Sequence, residues 1–544
     1  MRRPAAITPR EWRRVALFAA LVMLFTTIPY LIAWGTAGSG TRFGGFLFSV
    51  EDGYSYLAKM RLGARGDWLF TLRHTTEPHD GALMFLPYVL LGRLTGMVVP
   101  ADDPALPDAL AITYHTARVL FGMLLIGVSY RFAAEFLPGR RARWLALILI
   151  TLGGGLGWLL LIVGAQHWLN WLPLDFYLPE GYSFLILYSL PHLALARSAL
   201  LGGFLLLSRT LDASSDRRWR YGLAAGLCWA VMGLAVPFYI PVIYAVLGAW
   251  GLAAWLRDRR FPWLLFRQAV IAAAVPLPVL LYTGIVFLTS DVFAQWSAQN
   301  RLPSPHPLHY VFGYIVLALP ALASFRWVWR RDKRPGSARY LLLIGWLTIV
   351  PILVYLPINV QRRLSEAVIV PLSILAVVGL RLAFKSHRMR RIAVAAVLCL
   401  ALPTSIVLWF GGIGAALTHR APIDWSDGMI DGLARLNAAV PRDARLLTTR
   451  EIGSYAPVQT DLVSYVGHGP ETLYGERKYA EVERFFADEM DAGERQTLLH
   501  GIDYVFYGPL DPGAPDPGWA DGLRPFAQNA QSQYRIYEVP HDET

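Results

Sequence analysis

Apolar runs of membrane-crossing length recur along the chain and are separated by short polar stretches. They fall at 15–34, 111–137, 143–165, 184–208, 264–289, 309–329, 338–358, 363–384 and 392–412, each near the roughly 20 residues that a helix needs to cross a bilayer. The run 221–256 would be about 54 Å long as one helix, far more than a bilayer needs. Pro237 and Pro241 therefore predict a fold-back into two spans. Segment 81–99 holds Pro87, Arg93 and Gly96 and fits either a span or a re-entrant or interfacial piece. From about residue 413 the pattern changes. Short strands are expected at 445–448, 502–507 and 534–539 and helices at 476–490 and 492–500, giving a small α/β domain of roughly 130 residues. The boundaries are thus a transmembrane module at 1–412, with its first external loop at about 35–80, and an extracytoplasmic α/β domain at 413–544.

Composition fixes the class. Hydrophobic residues make up 55% of 544 positions and charged residues only 16%, which is the balance of a polytopic α-helical membrane protein. The formal net charge is +11, but the arginines gather in clusters between apolar runs. That placement sets membrane orientation and argues against nucleic-acid binding. With the N-terminus, Arg140-Arg141-Ala142-Arg143, Arg217-Arg218-Trp219-Arg220, 257–260, 330–334 and 385–391 on the cytoplasmic side, most spans alternate without conflict, provided that 81–99 does not span. The arrangement needs an odd number of crossings, about eleven, in the inner or plasma membrane. The N-terminus is then cytoplasmic, and the loop holding Glu51 and the C-terminal domain are extracytoplasmic. Run 15–34 follows Arg2, Arg3, Arg10, Arg13 and Arg14 without a small-residue cleavage site, so it is read as a retained signal anchor. Cys228 and Cys399 lie inside apolar runs and imply no disulfide framework.

The sequence has no phosphate-binding Gly-Lys loop, no zinc-type Cys/His spacing and no internal repeat. Gly153-Gly154-Gly155-Leu156-Gly157 sits in an apolar run and is read as close helix packing by small residues. What remains is a polar set sent to the outer side: Glu51, Asp52, His74, Glu77, His79 and Asp80, then Asp175 and Glu180, Tyr239, His306 and His309, and Gln361-Arg362-Arg363 with Glu366. His115, Arg118, His192 and Arg197 lie within spans. A site that holds an anionic lipid headgroup and takes a proton needs such acids and arginines together.

The stretch Glu51-Asp52, Tyr54 two residues on, a helix of about four turns and then Gly66-Asp67-Trp68-Leu69 resembles the first external loop of GT-C superfamily glycosyltransferases. Among the members it resembles are the lipid A aminoarabinose transferases and the protein O-mannosyltransferases. Their loop reads Asp-Glu where this chain has Glu51-Asp52, and Glu-Lys-Pro-Pro where this chain has Glu77-Pro78-His79-Asp80. The tail segment Val466-Gly467-His468-Gly469-Pro470-Glu471-Thr472, followed by Glu476-Arg477-Lys478, is similar to tails of bacterial members.

The resemblance implies transfer of a sugar from a polyprenyl-phosphate donor to an acceptor hydroxyl on a glycan, lipid or protein, with inversion. Glu51 is the first choice of base and Asp52 the second. Arg362 and Arg363, with Arg197 third, are expected to hold the leaving phosphate. Tyr54, His74, Glu77, His79, His192, Tyr239 and Glu366 complete the candidate set. No cofactor is assigned, and a divalent metal held by Glu51 and Asp52 stays open. So do plainer readings: helix capping by Glu51-Asp52, headgroup anchoring by Arg362-Arg363, structural hydrogen bonds for His192 and Arg197, and solvated loop histidines for His74 and His79. Competing functions are a lipid or oligosaccharide transporter without chemistry, and a ligase that moves a whole lipid-linked glycan. The expectation beneath all of this is that the paired carboxylates share an extracytoplasmic pocket with the guanidinium groups near position 362.

Overall fold

A computed structural model describes residues 6–212, 214–330, 339–511, 514–527 and 533–541. Arg2, Arg3, Arg331, Lys333 and Arg334 of the expected cytoplasmic clusters lie outside them. By its contacts the chain divides into two compact units. The first comprises 1–28, 116–285 and 301–411, and the second 29–115, 286–300 and 412–544.

Seven described helices are long and apolar enough to cross a bilayer: Pro9–Thr36, Leu106–Phe136, Pro191–Arg209, Tyr239–Asp258, Pro307–Trp329, Gln361–Ala383 and His387–Ala416. The pair Trp263–Ala274 and Leu277–Thr289, bent by 49°, makes an eighth if it is one span. The protein is an integral membrane protein. The fold-back expected at Pro237 and Pro241 separates Ser215–Ala235 from Tyr239–Asp258. The first of these opens on Asp216, Arg217, Arg218 and Arg220, so its apolar part is short.

Run 143–165 is not one helix, which corrects the expectation. It breaks into Arg140–Leu152 and Gly157–Ile162. The backbone N–H of Gly154 donates to the Ala401 carbonyl at 2.6 Å and that of Leu156 to Phe312 at 3.1 Å. The buried Asp175 carboxylate accepts from the N–H groups of Gly155, at 2.9 Å, and Gly157, at 3.2 Å. Donors lost to the helix are thereby satisfied elsewhere in the first unit. A Cβ on Gly155 would meet the Gly313 carbonyl oxygen at 2.5 Å, so the close-packing reading of the glycine run holds at Gly155, but at a helix break.

Segment 81–99 yields the helix Leu86–Gly96 of 11 residues, about 16 Å long and too short to cross a bilayer. It packs in the second unit against the helix Val50–Ala64. At Gly92 an added Cβ would sit 1.7 Å from the Met60 carbonyl oxygen, and at Gly63 it would sit 2.0 Å from that of Val89. Only bare backbone allows the two axes to approach so closely.

The second unit also contains the tail sheet, in the order Val463–Ser464, Arg445–Leu447, Tyr504–Tyr507, Arg535–Glu538 and Arg524–Ala527. The first three strands run parallel and the last two pairings are antiparallel. The helix Arg450–Gln459, capped by the Thr449 hydroxyl, connects the first parallel pair. Strand Thr41–Phe43 of the first loop pairs antiparallel with Asp424–Ser426 of the tail. Phe46, Tyr54, Leu57 and Met60 share one buried core with Trp425, Met429, Leu433 and Tyr455. The tail is therefore packed on the first-loop helix as well as on itself.

Candidate functional site

Ser49, in the left-handed region at φ 49°, turns the chain into the helix Val50–Ala64. Glu51 and Asp52 fall in its first turn, where unpaired N–H groups favour negative charge. The helix is pinned by its other face, so both carboxylates stay accessible, with side-chain exposures of 45% and 43%. Tyr54 is fully buried on that pinned face. Its hydroxyl donates to the Pro422 carbonyl and accepts from Trp425 Nε1 at 3.0 Å. It anchors the helix and has no open space of its own.

Each acid meets a cationic or proton-bearing partner from the tail. Arg450 Nη2 reaches the Glu51 carboxylate at 3.3 Å. His468 Nε2 lies 3.1 Å from Asp52 Oδ1. The other ring nitrogen of His468 is buried without a hydrogen-bond partner among the described residues and lies 3.9 Å from Glu471 Oε1. Glu471, fully enclosed, accepts from Lys59 Nζ at 2.5 Å and Ser55 Oγ at 2.7 Å, and its second oxygen contacts His74 Nδ1 at 3.0 Å. A polar line thus runs from the accessible Asp52 through His468 and, across the 3.9 Å gap, Glu471 to Lys59 and His74. Burial pushes the Glu471 carboxyl up, but Lys59, His74 and His468 together outweigh it and hold it well below the usual carboxylate range. Burial lowers both the Lys59 ammonium and the His74 imidazole, against the pull of Glu471.

His74 is therefore a buried member of this line, not a solvated loop residue. Glu77 takes the buried Lys478 ammonium at 2.8 Å and the Thr75 hydroxyl. Burial raises its carboxyl, and Lys478 and Thr75 more than reverse that, leaving it below the ordinary value. His79 accepts the Leu72 N–H at Nε2 at 2.9 Å and holds the Glu77 carbonyl with Nδ1 at 2.8 Å. Because a backbone N–H can only donate, the ring is neutral at Nε2, and it works as a loop clip.

In the first unit, Arg197 is closed onto Glu366 in a fork, Nε to Oε1 at 2.7 Å and Nη2 to Oε2 at 3.0 Å. It also donates to Ser183 Oγ and to the carbonyls of Pro179 and Glu180. Both members of the pair are fully buried. Arg197, third choice for a phosphate, instead orders the 179–183 turn, and Glu366 is spent on it. Tyr239 is buried close to the Glu366 and Glu180 carboxylates. His192 is buried at the start of the helix Pro191–Arg209. Arg363 lies 3.4 Å from Glu180. Arg362 makes no direct ion pair among the described residues, although the Glu180 carboxylate acts on it at longer range, and its guanidinium lies 5.1 Å from the Tyr177 ring and 5.9 Å from that of Trp171.

Sequence reasoning missed His468, Glu471, Lys59 and Arg450. The only available signal was the compact His468-Gly469-Pro470-Glu471 motif, since no local spacing links position 468 to position 52. The two acids considered for a metal ion, Glu51 and Asp52, contact different tail residues, Arg450 and His468, through carboxylates that are 45% and 43% exposed. Among the described residues no group of three or more His, Cys, Asp or Glu side chains is arranged to hold one.

No protein-family profile matches the sequence, and no curated protein matches it. The backbone is similar to the oligosaccharyltransferase of Archaeoglobus fulgidus, at a TM-score of 0.56 and 15% identity, over 91% of this chain and 69% of that one. A structure of that enzyme in complex with Zn and sulfate gives a TM-score of 0.52 at 16% identity, over 91% and 68%. ArnT from Cupriavidus metallidurans bound to undecaprenyl phosphate aligns over 96% of this chain and 98% of its own, at 16% identity and a TM-score of only 0.46. The oligosaccharyltransferase likeness shows that the chain shares the fold of that enzyme.

Proposed function

We propose that this protein is a membrane glycosyltransferase that moves a sugar from a polyprenyl-phosphate donor to an acceptor hydroxyl on the extracytoplasmic side. The acceptor oxygen attacks the anomeric carbon while the bond from that carbon to the phosphate oxygen breaks, and the lipid phosphate leaves with the bonding pair. One displacement inverts the anomeric centre. The hydroxyl is a poor nucleophile near neutral pH, so its proton passes to a carboxylate within hydrogen-bond reach. The observation that carries this reading is the accessible Asp52 carboxylate hydrogen-bonded at 3.1 Å to a buried imidazole. His468 orients Asp52 and steadies it, and that favours Asp52 over Glu51, whose carboxylate is instead paired with the cationic Arg450. Arg362, which makes no direct ion pair among the described residues, is assigned to the departing phosphate together with Arg363, whose fork matches its oxygens. A lipid-phosphate donor carries its own leaving group, which accords with the missing nucleotide loop.

The test is transfer from a polyprenyl-phosphate hexose by purified full-length protein in nanodiscs. Asp52→Asn is expected to lower turnover by about 10²–10⁴-fold with donor binding retained. Arg362→Ala should weaken polyprenyl-phosphate binding about tenfold or more, the worth of one charge-assisted hydrogen bond. Normal turnover in both Asp52→Asn and Glu51→Gln would refute the base. Lipid translocation without transfer by the wild type would replace the enzyme with a transporter.

A further inference from the structure

A cavity of about 590 Å³ opens in the second unit, between the first-loop segment after Gly66 and the tail around Arg442 to Arg445. Its volume is that of a site for a ligand of drug size, about 300–1,000 Å³. It involves neither Glu51 nor Asp52. Its floor includes Trp68, 52% exposed, whose ring is held by the Arg93 guanidinium stacked 4.2 Å from its centroid. Arg93 also donates to the Gly66 carbonyl at 2.6 Å, so the indole is fixed in place while half its area stays open. The charged wall groups balance, with Asp67, Glu77 and Asp443 against Arg73, Arg442 and Arg445. Most of these are paired already: Arg442 with Asp67, Arg73 with Asp443 at 2.6 Å, and Glu77 with Lys478 at 2.8 Å.

Such a wall has no surplus positive charge to draw in a phosphate or a uronate, and an anion would face three carboxylates. It does offer half-open planar donors and acceptors, Arg442 at 42% and Asp443 at 56% exposure, beside a rigid aromatic face. Vicinal hydroxyls match paired carboxylate and guanidinium edges, and the C–H face of a pyranose ring buries apolar area on an indole. We propose that this cavity is a subsite for a neutral glycan of about disaccharide size, which, resting on the glycosyltransferase reading, is the acceptor.

Saturation-transfer NMR on the full-length protein in nanodiscs tests this, with maltose, cellobiose, lactose and mannobiose as neutral probes and glucuronic acid and glucose 6-phosphate as charged ones. At least one neutral disaccharide should bind, Trp68→Ala should weaken it tenfold or more, and Trp68→Phe should recover most of the loss. Asp443→Asn, which keeps the hydrogen-bonding shape, should weaken it less than Trp68→Ala. Binding of no neutral probe, binding unchanged in Trp68→Ala, or a preference for the charged sugars each overturns the proposal. Sugar transfer proceeding in a protein that binds no neutral disaccharide would sink this subsite alone. Disaccharide binding lost in Trp68→Ala, in a protein that transfers nothing, would sink the enzyme and leave a glycan site.

Discussion

Glu471 holds a buried ammonium, a hydroxyl and an imidazole at once, and the consequence is a steep dependence on its charge. Glu471→Gln leaves the Lys59 ammonium enclosed without a counter-ion. The expected cost is about 3–5 kcal/mol of stability, read as a fall in the unfolding midpoint of the full-length protein. Acid should weaken the same cluster in two steps. The folded His74 imidazole sits below its usual value, so the unfolded chain takes up a proton first, and stability falls as pH drops below about 6.5. The Glu471 carboxyl is also depressed. Its contribution is present above the unfolded value of about 4.3 and is lost as pH falls through the folded one. His74→Gln should flatten the first step and leave the second. A midpoint unchanged between about pH 7 and pH 5 would contradict the first step, and one unchanged from about pH 5 to pH 2 the second. His79, whose two ring nitrogens serve neighbouring backbone groups, resembles His74 in the sequence, yet only the fold distinguishes a loop clip from a member of the polar line.

The elements that were legible are those set by local chemistry. Apolar length announced the helices Pro9–Thr36 and Leu106–Phe136, proline the turn between Ser215–Ala235 and Tyr239–Asp258, a short apolar run the strand Tyr504–Tyr507, and alternation the strand Arg535–Glu538. The break after Leu152 was illegible because its cause lies elsewhere: the Asp175 carboxylate competes for N–H groups that a continuous helix would have used. Gly155 is the residue that permits the break to pack. Gly155→Ala would drive a methyl group against the Gly313 carbonyl, and a loss of about 1–3 kcal/mol is expected. A thermal midpoint equal to wild type would show that the junction yields at no cost. The two-residue strand Val463–Ser464 and the pairing of Thr41–Phe43 with Asp424–Ser426 were also unreadable, being too short for any periodicity and defined by partners far along the chain.

At the scale of the whole molecule, the second unit is discontinuous in sequence, drawn from 29–115, 286–300 and 412–544. The soluble tail was legible as a composition change near residue 413, but its embrace of the first loop was not, because a shared core leaves no mark on either segment alone. Removing 412–544 should strip Tyr54, Leu57 and Met60 of Trp425, Met429 and Tyr455. Limited proteolysis of the truncated protein should then cut within 41–85, where the intact chain is protected. An uncut first loop would mean that it folds unaided. The candidate base and its imidazole partner lie 416 residues apart in the chain. A ribosome making this protein therefore completes Asp52 long before His468 has been synthesised. Under the proposed mechanism the half-made polypeptide is chemically silent, and competence arrives only with the final stretch of translation, so a stalled or prematurely terminated product cannot squander lipid-linked sugar.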